Sequence, residues 1–375
     1  MQISLIFAAR AAVGVIFDLF STIVFDRLAA KVFERPLRNF VIVFATLVSS
    51  FVIINTKRVK LMRFKFYIFV LVVLAFASSD FALAQPNKPA PAATARSITV
   101  VTEPNAIVWI DDIRRGTTDA SGKLFIKPVP SGIRKLRVRA EGFKEAAQPL
   151  TAAQKGEVKV ALVKTADEAE LAFQQAETAA SADREKSIEL YRRAVKLRPR
   201  FAEAQLGLAR VLLDNNDNEE ALKAVREARK TKPIYPEASA VEGRIYRSEG
   251  DDEKAVVAFK KAIREGKGFQ PEAHTGLGLL YKERAEGFGS EGDLEQEKVN
   301  YDLAAAAFKT ALQQLGGAPD AEIIYQMLGV TYEKQQKYAE AIRIYEEFLR
   351  VFPDSTEASA VRSFIVQAQK QMKEQ

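Results

Sequence analysis

The sequence predicts a multidomain chain: a small all-β sandwich followed by an all-α right-handed solenoid, with a hydrophobic leader in front. Three observations carry this. From residue 168 onward, small, large and proline residues recur with a period of about 34, Pro199 and Pro233 marking two successive ends. Between residues 97 and 164, short β-branched runs alternate with clusters of Gly, Pro, Asn and Asp. Before residue 85 the chain is mostly apolar and holds ten Lys or Arg against four Asp or Glu, so +6 of the total +7 lies there.

The leader has two parts. Met62-Arg63-Phe64-Lys65, the uncharged stretch Phe66 to Phe76 and the Ala82-x-Ala84 ending supply the parts of a secretory signal peptide, expected over 62–84 with cleavage before Gln85. Residues 1–61 admit two readings: a miscalled start, the biological one being Met62, or a retained membrane-embedded segment. Phe40 to Ile54 is shorter than the roughly 20 residues a spanning helix needs, and Arg10 and Asp18 interrupt Ile3 to Val24. The expectation is an exported protein of the periplasm or cell envelope that meets a membrane only through its N-terminal segment.

Past the leader the net charge is only +1, so no basic field remains for nucleic acid. Cysteine is absent, which excludes a disulfide framework, a lipoprotein acyl site and thiolate chemistry. Residues 85–96, with Pro86, Pro89 and Pro91 among alanines, read as an extended linker. Strands are expected over Ser97 to Thr102, Ala106 to Asp111, Lys123 to Ile126, Ile133 to Arg139 and Glu157 to Val163, within a β module of 97–164.

The helical repeats are expected over 168–201, 202–235, 236–269, 271–320 with an insertion, and 322–355, closed by a capping helix in 356–375. Within each, positions 4, 7, 8 and 11 share one face of a first helix, and 20, 24 and 27 one face of a second. The first repeat fills the second-helix places with Ser187, Tyr191 and Ala194, and the second with Ala221, Val225 and Ala228. The third has Ala255, Phe259 and Ala262; the fourth has Leu277, Gly278 and Tyr281, then Ala304, Phe308 and Ala311. The fifth reads Leu328, Gly329, Tyr332, Ala341, Tyr345, Phe348 and Pro353. Small residues allow helices to approach, the aromatic at 24 fills the gap, and stacking buries what one hairpin cannot. In the capping helix, Glu357 to Met372, Ala360, Phe364 and Ala368 are expected inward and Arg362, Gln369 and Lys370 outward.

These residues resemble the tetratricopeptide repeat, over about 190 residues. The β module resembles the PEGA domain of bacterial envelope proteins through Thr102-Glu103-Pro104-Asn105-Ala106, Trp109-Ile110-Asp111-Asp112, Gly116-Thr117-Thr118, Pro130-Ser131-Gly132 and Arg137-Val138-Arg139-Ala140-Glu141-Gly142-Phe143. The eponymous Pro-Glu-Gly-Ala string is replaced by Ala140-Glu141-Gly142-Phe143. Together the resemblances imply a non-enzymatic adaptor of the envelope that binds a protein or peptide. The alternative is recognition of a wall or surface polysaccharide by the β module, with the repeats as spacer.

Chemistry-bearing motifs are few. The single histidine, His274, stands at a core position of the fourth repeat without a second His or Cys, so a packed residue is expected rather than a metal ligand or catalytic base. Gly287 to Gly292 lacks the Gly-Lys-Ser/Thr ending of a phosphate loop and reads as a flexible insertion of about 14 residues lengthening the turn, the alternative being a partner-contact loop. Asp214 to Glu219 imitates a calcium loop but lacks its glycine and distal glutamate, leaving turn and cap chemistry. No cofactor is expected. Two binding surfaces remain. First-helix positions put Arg210, Arg244, Arg247 and Lys282 on the concave face, a cationic ladder for an acidic or extended peptide, with Glu203, Glu237 and Glu272 on the same face. Alternation in the strand Ile133 to Arg139 puts Lys135, Arg137 and Arg139 on one face of the β module. That module holds 12 basic and 7 acidic residues, whereas the chain from Thr165 holds 31 and 37. The opposite signs fit either intramolecular docking or a module aimed at anionic envelope polymers.

Overall fold

The structure, a computed structural model, describes residues 96–374. The leader, the signal peptide and the linker expected before residue 96 lie outside the described residues. A β-rich segment, residues 96–159, precedes eleven helices.

Among the described residues, seven strands form two sheets. β1 (Arg96–Val101) lies between β4 (Lys123–Val129), antiparallel, and β7 (Gly156–Lys159), parallel. The second sheet runs β3 (Ile113–Thr117), β2 (Ile107–Ile110), β5 (Arg134–Arg139), β6 (Ala146–Leu150), antiparallel throughout. One core joins them: Ile98 and Val100 of β1, Ile126 of β4 and Val158 of β7 pack with Val108, Ile110, Leu136, Val138 and Leu150. The period-2 alternation in β1 and β5 delivers these residues to the inside, as expected. Two strands carry no such signal. β3 is Ile-Arg-Arg-Gly-Thr and β6 is Ala-Ala-Gln-Pro-Leu; both are edge strands, where charge and proline are tolerated because one side of the ladder has no partner.

The helices pair as hairpins. They are α1 (Glu168–Ala179) with α2 (Arg184–Leu197), α3 (Ala202–Asp214) with α4 (Asn218–Thr231), α5 (Pro236–Ser248) with α6 (Asp252–Glu265), α7 (Pro271–Glu291) with α8 (Leu294–Leu315), and α9 (Ala321–Lys334) with α10 (Tyr338–Val351). α11 (Ala358–Glu374) closes the stack. Asp167, Asp183, Asp251 and Asp293 cap α1, α2, α6 and α8 by accepting hydrogen bonds from first-turn amides. The residues expected at positions 20, 24 and 27 are buried in all five hairpins. One ring at position 24 is clamped twice. Phe259 lies against Gly243 of its own hairpin and against Gly276 of the next, where an added Cβ would come within 2.6 Å of the ring at Gly243. Gly276 stands at position 6, a second close-approach position that the expected pattern does not contain. In α11 the buried residues are Ala358, Val361 and Ala368, with Ala360 and Phe364 half-buried and Arg362, Gln369 and Lys370 exposed.

The insertion differs from its expected form. It is helical, extending α7 to 21 residues and α8 to 22 where the other hairpin helices have 12 to 14. Only Gly292, in a left-handed conformation, and the cap Asp293 make the turn. Three glycines in six residues read as a loop, but Ala285 and Tyr301 bury inside the longer hairpin and hold the extra turns. A glycine in a packed helix costs only about 1 kcal/mol.

Candidate functional site

The first helices of successive hairpins face one another closely enough for side chains to cross between them. Arg210 Nη2 on α3 donates to Glu272 Oε2 on α7 at 2.7 Å, skipping the hairpin between. Arg244 on α5 donates to the other oxygen of Glu272 at 3.2 Å and to Asp214 Oδ1 on α3 at 3.2 Å. A contact that reaches past one repeat requires α3, α5 and α7 to converge, which places these residues on the inside of the curve. Arg247 donates to Glu283 at 2.8 Å, and Lys282 to Glu286 at 2.7 Å within α7. All four residues of the expected ladder therefore stand in one region, and each is matched by a carboxylate. Partial burial would raise the Glu272 carboxyl, but Arg210 and Arg244 hold it below the usual carboxylate range. Glu272 in turn raises the Arg210 guanidinium, against the effect of burial. This is a row of alternating charge, and an acidic ligand has to compete with the carboxylates already there.

The members of the basic strand face share one side of β5 and differ in burial. Lys135 is exposed. Arg137 reaches Asp112 at 3.4 Å and Glu145 at 3.1 Å and lies 4.3 Å over the Trp109 ring. Arg139 is pulled furthest in: it pairs with Glu145 at 2.6 Å and, across to the solenoid, with Glu177 of α1 at 2.5 Å, and it lies 4.7 Å over the Phe173 ring. Burial disfavours its charge, but Glu177 and Glu145 more than offset that and raise its pKa. Beside it, Gln174 of α1 accepts from the Gly142 amide at 2.9 Å and donates to the Phe143 carbonyl at 2.8 Å.

A second anchor lies some 200 residues away in sequence. Arg115, buried on edge strand β3, donates through Nη1 to the carbonyls of Leu315 at 2.9 Å and Gly316 at 3.0 Å. These carbonyls lie at the C-terminus of α8, where the helix dipole favours a cation, and Leu315 O also accepts from the Ala318 amide at 3.2 Å. Burial lowers the guanidinium pKa to about 10, still far above neutrality. Ile113 of the same strand packs into the core of the last hairpins, and Pro128 lies beside Gly317. The β module thus touches the solenoid at its first hairpin and again at the turn between its fourth and fifth. Arg115 carried no sequence signal as a contact residue, because an arginine in an edge strand is ordinarily solvated.

The remaining motifs hold structural places. His274 is half-buried with Nε2 unpartnered; burial lowers its pKa, opposed by a hydrogen bond with the Gly268 backbone. In the Asp214 to Glu219 stretch, Asn216 takes the left-handed conformation of a turn and Asp214 faces Arg244. Among the described residues no group of His, Cys, Asp and Glu is arranged to hold a metal ion, and no helix is long and apolar enough to cross a membrane.

Two family models, both described as tetratricopeptide repeat, match the helical segment, one over 179–236 and 206–271 and the other over 325–355. The helical segment thus has a tetratricopeptide-type repeat fold. Similar solved structures include TTC0263, a thermophilic TPR protein of Thermus thermophilus, at 22% identity and TM-score 0.41, covering 54% of this chain and 98% of that one. The APC/C hetero-tetramer Cut9-Hcn1 aligns at 16% identity and TM-score 0.44, over 55% of this chain and 37% of that one. The MamA protein aligns at 18% identity and TM-score 0.35, over 52% and 96%. Comparison with curated proteins finds no match. The tetratricopeptide fold is consistent with a scaffold for protein interaction, with a protein or peptide as the partner.

Proposed function

We propose that this chain is a non-enzymatic adaptor of the bacterial cell envelope that takes a partner segment along the concave face of its tetratricopeptide repeats. The observation that carries this is the row Arg210, Glu272, Arg244, Asp214, Arg247 and Glu283, all partly exposed on the inside of the curve. Partly solvated charges that already meet opposite charges can exchange partners at small net cost, which suits reversible recognition. The envelope location rests on the signal-peptide pattern of 62–84 and on the likeness of residues 97–164 to a PEGA domain. Recognition of an anionic polymer by the β module has less support, since Arg137 and Arg139 are engaged by carboxylates and only Lys135 is exposed.

The test is a photo-activatable residue placed at position 244, 247 or 282 of the full chain in cells, with position 260 on the second-helix side as control. Discrete cross-linked partners from the first three positions and none from the fourth are expected. Cross-links from position 260 alone would end the groove reading.

A further inference from the structure

Resting on the scaffold reading, we infer that the first-repeat end of the groove is an arginine-receiving surface, occupied in this chain by its own Arg139, and that the partner segment presents an arginine and competes with the β module for that place. The occupant defines the chemistry. Arg139 has a side chain only 9% exposed, with Glu177 at 2.5 Å and the Phe173 ring at 4.7 Å as the solenoid's share of its surroundings. The module supplies the rest through Glu145 and Trp109, whose ring lies 5.2 Å from the same guanidinium. A carboxylate and an aromatic face together bind a guanidinium through charge-assisted hydrogen bonds and cation–π attraction. Phe173 is itself fixed by Phe201 at 4.9 Å and Tyr191 at 5.9 Å, so the receiving wall is preformed.

The floor continues in the same sense. Glu203 is exposed, and the buried Oε2 of Glu237 has no hydrogen-bond partner. Both carboxylates act on the Tyr235 hydroxyl, whose pKa is raised by burial first and by Glu203 and Glu237 next, and Arg137 of the β module acts on the same group. An unfilled buried acceptor calls for a donor. The arginines and the lysine deeper in the groove are already matched by carboxylates, so a basic segment gains an acceptor at Glu237 while an acidic one must first displace Glu272 or Glu283. Charge over whole segments agrees: the module is basic and the helical part acidic. The docked module is held by a short set of contacts, Arg139 with Glu177, Gln174 with Gly142 and Phe143, Arg115 with Leu315 and Gly316, and the apolar pair Ile113 and Pro128, so exchange of the Arg139 end is mechanically feasible.

The probe is a labelled synthetic peptide with the sequence of residues 134–142 of this chain, paired with a copy carrying Glu in place of Arg137 and Arg139. Each is titrated against the full chain, Arg139→Gln and Glu177→Gln at physiological ionic strength. Arg139→Gln, which vacates the surface, is expected to bind the basic peptide about tenfold more tightly than the unaltered chain, and Glu177→Gln to lose that binding. If circular dichroism shows that Arg139→Gln disturbs the β module, Glu237→Gln in the unaltered background serves instead: it touches no docking contact and is expected to weaken the basic peptide. Equal affinity of the basic peptide for all variants, absence of binding, or preference for the acidic peptide would overturn the arginine assignment. A cross-linked partner at position 244 or 247 together with any of those outcomes leaves the scaffold reading standing.

Discussion

Removing the Arg115 guanidinium should undock one end of the β module without unfolding either domain. Arg115→Met keeps the aliphatic stem and deletes two charge-assisted hydrogen bonds, to Leu315 O at 2.9 Å and Gly316 O at 3.0 Å. Hydrogen bonds to charged groups contribute about 1.5–3 kcal/mol each, and a cation at a partly buried helix C-terminus up to about 2 kcal/mol. Burial opposes both, as the lowered pKa of the group shows, so a net loss of about 2–3 kcal/mol is expected. That corresponds to roughly 30- to 150-fold faster hydrogen exchange wherever protection depends on docking. The amides to watch are Gly316 and Ala318, which bond Leu312 and Leu315 at the end of α8. Exchange in α3 to α6, far from the contact, should not change. Unaltered exchange at 316 and 318 in Arg115→Met would refute the reasoning, and so would uniform loss across the whole solenoid.

Other expectations follow from the same geometry. Gly276→Ala forces a methyl into the Phe259 ring, an overpacking expected to cost about 1–3 kcal/mol; urea unfolding should show it, whereas Gly287→Ala, with nothing within 4 Å of the added carbon, should be neutral or stabilising. Glu272→Gln removes the one carboxylate shared by Arg210 and Arg244; because these groups are partly solvated, a loss of about 1 kcal/mol that shrinks with added salt is expected. His274 has its pKa lowered by burial from an ordinary 6.5, so the unfolded chain takes up a proton that the folded chain resists. Its contribution to stability is intact above pH 6.5 and falls as the pH drops through the folded value. The only imidazole in the chain can be followed by NMR, and a midpoint at or above 6.5 would contradict the assignment.

Much of the helical architecture was legible because its signal is periodic. Tyr191, Phe259, Phe308 and Tyr345 announce the second-helix core, and each is buried. The gaps have physical causes. Gly276 receives the Phe259 ring from the preceding repeat, a contact that no single-repeat template contains. β3 and β6 lie at sheet edges, where the alternation that marks β1 and β5 is not required. The extended hairpin α7–α8 was obscured because Gly287 and Gly289 suggest a loop wherever tertiary burial, here of Ala285 and Tyr301, is invisible. For the candidate site, helical spacing gathered Arg210, Arg244, Arg247 and Lys282 but could not assign their carboxylate partners, which come from other repeats or other turns. Charge bookkeeping raised the possibility of intramolecular docking; which arginine docks, and on what, depends on the strand register and on the fold of α1.

The absence of cysteine permits a direct test of whether the β module spans the solenoid from its first hairpin to its fourth. Spin labels on cysteines placed at the exposed positions Arg114 and Asp320 report the separation across the Arg115 anchor in the full chain. A single narrow distance distribution, broadened by Arg115→Met, is the predicted result; a broad distribution that the substitution leaves unchanged would contradict it.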